Sequence, residues 1–153
     1  MKKTAIKLFQ FYNLDSELNG IVDQKTNQIT RKGLLSERLS LVLKYWLMDL
    51  AKKAFEEKNA CESMKEELIR KYGEMDELGN ISLLQYTNVV KDENGEVVSV
   101  ENNPKFEEFQ VEWNQFLNEE KEVEHKEFKL ADFENVESED VYPALFNLVI
   151  TTE

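Results

Sequence analysis

The chain has 153 residues, 41% of them hydrophobic, one cysteine, and a formal net charge of −12. That length can bury a real core in one domain, and the low Pro and Gly content excludes a low-complexity or disordered chain. Cys61 alone permits neither an intramolecular disulfide nor a cysteine-based metal site, which points to synthesis in a reducing compartment.

The charge is uneven. Residues 1–50 carry 8 basic and 5 acidic groups, residues 51–100 carry 7 and 11, and residues 101–153 carry 4 and 15. So acidic a C-terminal third repels nucleic-acid backbones and anionic membranes. It is either a solvated face or an attraction for a basic partner.

At the N-terminus, Lys2 and Lys3 before apolar residues have the outline of a signal peptide. Lys7 and Gln10 interrupt the apolar run, so mature structure is expected there. "TAIKLFQFY" at 4–12 alternates with apolar residues on both sides: Ile6, Leu8 and Tyr12 against Ala5, Phe9 and Phe11. The pattern predicts a strand covered on both faces, with a short helix as the competing reading. "NLDSELNG" is expected to turn the chain, and "IVDQKTNQITRKG" to form a loop or loose hairpin around Thr26 and Asn27.

Apolar residues at three-and-four spacing then run from Leu35 through Leu39, Val42 or Leu43, Trp46 or Leu47, Leu50 and Ala54, and more weakly to Tyr72. This predicts one long helix over 34–73, with Ser36 as its N-cap. No Pro or Gly interrupts it, and Gly73 is expected to end it in the left-handed conformation after Arg70 and Lys71. Residues 81–102 predict a hairpin with arms at 86–91 and 96–101, closed by a type I′ turn at Asn94 and Gly95. A second helix is expected over 103–121, capped by Asn103 with Pro104 at its first position. A strand follows from 122. A short helix beginning near Ser138 or Asp140, or an edge strand at "FNLVI", closes the chain.

Motifs for chemistry are missing. His125 is the only histidine, and Glu122 with His125 supplies one half-motif of a di-iron site that needs two. "DENGE" at 92–96 departs from a calcium loop, since Val97 stands where that loop needs Gly. No P-loop, GxGxxG or GxSxG pattern occurs. Trp113, Phe106, Phe109 and Phe116 lack the interleaved cations of a base-stacking platform and read as core. The expectation is therefore a non-enzyme without cofactor or metal.

The segments "LIRKYGEMDELGNI" and "FLNEEKEVE", with "LFQFYNLDSELNGIVDQKT" and "KGLLSERLSLVLKYWLMDLAKK", resemble small acidic helical proteins of tailed bacteriophages, in versions similar to those of crAss-like gut phages. The resemblance implies a phage origin, with synthesis in the host cytoplasm, and no activity. The fold expected from the whole reading is α+β, mainly α, in a single domain over 1–153. It has a long antiparallel helix pair, a β-hairpin tip and a small sheet formed by the N- and C-terminal segments. The expected role is a virion structural or assembly protein contacting itself or other virion proteins through Phe9, Phe11, Tyr12, Leu39, Trp46, Leu47 and Leu50, with no membrane or direct nucleic-acid contact. The alternative is an acidic inhibitor that imitates nucleic acid toward a host defence or transcription protein.

Overall fold

The computed structural model describes residues 1–137 and 140–150. The expected helix start near Ser138 lies outside the described residues. The mainly α fold is overturned: the chain is mixed, 47% helical and 25% strand. Among the described residues the strands form four antiparallel pairs and one parallel pair, with no larger sheet. The chain divides into two compact units, Met1–Ala60 with Glu119–Glu153, and Cys61–Asn118.

In the first unit, β1 (Lys2–Lys7) pairs antiparallel with β8 (Glu120–His125), Lys2 opposite His125. The predicted strand over 4–12 stops at Lys7, and α1 (Leu8–Asn19) begins at once. Two sequence features explain the switch. The Gln10 side chain accepts the Lys7 backbone N–H at 2.9 Å, satisfying a donor at the helix start. Leu8, Phe11, Leu14 and Leu18 then recur at helical spacing and are all buried. "NLDSELN" is the second half of this helix and not a turn.

Gly20 ends α1 with φ 81° and opens β2 (Gly20–Val22), which pairs with β3 (Ile29–Lys32). Gly33 lies against this corner so closely that a Cβ there would strike the Leu18 carbonyl and the Gly20 nitrogen. A single 3-10 turn, Leu34–Ser36, follows. Glu37 is extended, so the expected rod over 34–73 is interrupted near its start. The long helix α2 is Leu41–Tyr72. Ser40, not Ser36, caps it: its Oγ accepts the Leu43 N–H at 3.2 Å. Ser36 instead donates to the Gly33 carbonyl at 2.6 Å. Leu43, Leu47, Leu50, Ala51 and Ala54 form the buried stripe of α2. The C-terminal part adds β9 (Phe128–Lys129), α4 (Pro143–Phe146) and β10 (Val149–Ile150), with β10 parallel to β9.

The second unit takes residues 61–72 of α2. Gly73 does not adopt the expected left-handed conformation. It is needed for closeness instead, because a Cβ would lie 2.5 Å from the Ile69 carbonyl and 2.7 Å from the Ser82 carbonyl. β4 (Glu74–Met75) pairs with β5 (Ile81–Ser82), and β6 (Tyr86–Lys91) with β7 (Val97–Asn102).

These two hairpins share one turn. In each an Asp side chain accepts two backbone N–H groups: Asp76 those of Leu78 and Asn80, Asp92 those of Asn94 and Glu96. The N–H of Gly79 or Gly95 donates to the carbonyl of that Asp. Asn94 has no positive φ while Gly95 has 81°, so the turn is not type I′ but a type I turn followed by a left-handed glycine.

The second helix, α3, is Pro104–Leu117, with the Asn103 side chain accepting the Lys105 N–H at 3.0 Å. It ends short of the predicted 121 because Glu120 to His125 alternate and pair as a strand. A 14-residue α3 beside a 32-residue α2 is not a long helix pair. Lys71 bonds Glu112 at 2.9 Å and Lys65 stands over the Trp113 ring at 5.7 Å, so α3 flanks only the end of α2.

Candidate functional site

Two buried polar side chains organise the first unit, and both are structural in position. The His125 Nδ1–H donates to the Lys126 carbonyl at 2.8 Å, so Nε2 accepts the Thr4 hydroxyl at 2.9 Å. The neutral ring lies flat against Phe128 at 5.9 Å. Burial pulls its pKa below the ordinary histidine value, and the Lys2 and Lys53 cations add to this. Glu122 points to solvent from the opposite face of the strand, so it and His125 do not converge.

Glu17 on α1 is also buried. Both its carboxylate oxygens accept the Ala144 N–H at 3.1 Å, and the Leu145 N–H reaches one of them at 3.4 Å. It thus caps α4. Burial raises its pKa against the lowering effect of these bonds and of Arg31. Arg31 donates to the Val141 carbonyl and covers the Tyr142 ring at 5.5 Å. The two side chains pin the C-terminal segment to the N-terminal one.

A polar recess of about 890 Å³ mixes Lys32 and Arg38 with Glu37, Asp132, Glu134 and Glu137, so neither sign of ligand charge is favoured. Among the described residues no group of three potential metal ligands gathers. No helix there is long and apolar enough to cross a membrane.

The seven sequence-predicted contact residues do not share a surface. Phe11, Leu47 and Leu50 are in the core of the first unit. Phe9 is on the open side of α1, with Tyr12 half-buried under Lys58. Leu39 lies in the extended link before α2 and lines the polar recess. Trp46 is half-buried, with the Lys126 ammonium 5.4 Å from its ring.

Besides Ile21, Val22 and Ile29 on β2–β3 and scattered side chains such as Leu78 and Leu84, two larger apolar groups are exposed. In the first unit, Leu41, Val42, Tyr45, Met48 and Phe55 form a stripe along α2 away from its buried one, from 85% exposed at Leu41 to 50% at Phe55. Met48 and Phe55 continue into a groove of about 460 Å³ with Leu35 and Ala51. The exposed cations Arg38, Lys44 and Lys52 belong to this stretch and have no ion-pair partner among the described residues. In the second unit, the β6–β7 hairpin exposes Val89, Val90, Val97, Val98 and Val100 by 41 to 64%. Val89 is opposite Val100, and a register shift between Val90 and Lys91 leaves exposed Val98 as the extra residue beside this pair.

One signal for the stripe was in the sequence. "Val42 or Leu43" fits the helical period equally well because Val42 belongs to the exposed stripe and Leu43 to the buried one.

No family model matches the chain, and neither a curated protein nor a solved structure is significantly similar to it.

Proposed function

We propose that this chain is a non-enzymatic virion or assembly component of a tailed bacteriophage, acting through protein–protein contacts. The observation that carries the reading is the second unit's thin core. Of its apolar side chains only Cys61 and Phe109 are buried, while the first unit buries seventeen among the described residues. A unit that exposes its valines and keeps little inside is suited to being completed by a partner. The resemblance of several segments to small acidic phage proteins supplies the phage setting. The partners are other virion proteins or further copies. Mass spectrometry of purified particles tests it: the protein is expected at a fixed ratio to known shell or tail components, and its absence from particles overturns the virion role.

The acidity of the second unit favours a second reading, an inhibitor that imitates nucleic acid toward a basic host protein. Its 13 carboxylates against 5 cations would give a 1:1 complex that weakens steeply with salt. Salt-insensitive binding overturns that reading.

A further inference from the structure

We propose that a second copy of this chain covers the α2 stripe, and that it does so with the valine face of its β6–β7 hairpin. The inference rests on the assembly reading and names its partner.

The two surfaces lack what the other supplies. A two-stranded hairpin is marginal in water and is stabilised by further strands or by a helix laid across it. β6–β7 has no third strand among the described residues, and its valines are exposed. The α2 stripe is a helix flank that no sheet covers. Helix on sheet is one of the few stable layer arrangements.

The lengths agree. Leu41 to Phe55 rises about 21 Å along the helix. A six-residue strand such as β6 or β7 spans roughly 20 Å.

The charges select this pairing over the symmetric ones. Arg38, Lys44 and Lys52 accompany the stripe against Glu56, with Asp49 and Lys53 paired to each other, whereas Asp92, Glu93, Glu96 and Glu101 accompany the hairpin against Lys91, so the stripe's surroundings are net positive and the hairpin's net negative. Stripe against stripe would bring cations together, and hairpin against hairpin would bring carboxylates together. Stripe against hairpin sets opposite charges face to face.

The areas are unequal. The stripe offers five side chains, each at least half exposed, and the hairpin face three valines at 41 to 64%, so the polar rim supplies the remainder of the roughly 800 Å² per partner of a stable interface. Because the two surfaces differ, each copy keeps one of them unused, and the contact propagates head to tail.

The test uses the full chain and two variants, each disabling one surface. Tyr45→Glu with Met48→Glu charges the stripe at exposed helix positions that tolerate Glu. Val98→Thr with Val100→Thr removes apolar area from the hairpin while keeping β-branched strand formers. Sedimentation should show wild-type mass growing with concentration and falling with added salt. Each variant alone should be monomeric, with association weakened at least about tenfold. An equimolar mixture should form dimers and stop there, since each variant retains the surface that the other lacks. A monomeric wild type at all concentrations, or a mixture that stays monomeric, overturns the proposal. A monomeric wild type that is nonetheless present in particles sinks this contact and leaves the assembly reading standing. Head-to-tail association of a chain absent from particles does the reverse.

Discussion

The two units are built by different means. The first buries Phe11, Leu14, Leu18, Leu47, Leu50, Phe128, Leu145 and Leu148 in a common core, and its N- and C-terminal segments meet there. The second is held by local chemistry: two Asp-centred turns, the Asn103 cap, the close fit at Gly73 and the Lys71–Glu112 pair. Burial is the larger force, since each core side chain contributes about 1.5–3 kcal/mol, whereas a turn or surface ion pair contributes about 1 kcal/mol or less. One chain thus joins a unit with a well-filled core to one that keeps little inside.

Truncating the core should separate the units most strongly. Leu47→Ala leaves a cavity in the first unit and should cost about 2–5 kcal/mol in denaturant unfolding. An effect under about 1 kcal/mol would mean that this core is not what holds the unit. Gly33→Ala should follow at about 1–3 kcal/mol, because the added methyl meets backbone and not a movable side chain. A neutral result would contradict the close approach of Gly33 to the end of α1.

Glu17→Ala strips two buried N–H groups of their acceptor and should cost about 1–3 kcal/mol. Glu17→Gln keeps an acceptor without the charge and should cost less at neutral pH. The sign follows from the raised pKa. The folded carboxyl holds its proton where the unfolded one has lost it, so this contribution is full below the ordinary carboxylate range and lost as pH rises through the folded value. The Gln variant should lack that slope in a pH series of melting curves.

His125 acts with the opposite sign. The unfolded chain takes up a proton near the ordinary value of 6.5, where the buried ring does not. Stability should therefore fall as pH drops from about 6.5 toward the lowered folded value. His125→Phe should abolish this slope in the first unit, at a cost from the stranded Thr4 hydroxyl. An unchanged slope would place the acid sensitivity elsewhere. The smallest effect belongs to the second unit. Asp92→Ala should loosen the hairpin by about 1 kcal/mol without moving the main transition, read as faster amide exchange in β6 and β7.

Legibility in the sequence followed the range of the forces. Local chemistry could be read directly: the Asn103–Pro104 cap, the β6–β7 hairpin and the buried stripe of α2 from Leu43 to Ala54. Where two periods fit one segment, its residues do not decide between them. Ala5 to Tyr12 alternate as in a strand, yet Leu14 and Leu18 continue the helix from Leu8 and Phe11. Glu17 lies on the buried face only once the helix is continued through Leu14 and Leu18. Ser36 and Ser40 are equally good caps by residue type, and only the extended Glu37 separates them. Which apolar residues stay exposed was the least legible part. Phe11, Leu47 and Leu50 are as apolar as Leu41, Tyr45 and Met48, and composition does not say which stripe the fold will bury. The mixed fold was underestimated because strands of two to four residues, held by turns, carry almost no hydrophobic pattern.

Amide hydrogen exchange of the intact chain at low and high concentration tests the central claim most directly. At low concentration the amides of β6 and β7 should exchange with little protection while those of α1 and the first half of α2 exchange only through global unfolding. At high concentration the hairpin should gain protection. A hairpin as protected as the core in the isolated monomer would contradict the account, because the second unit would then need nothing to complete it.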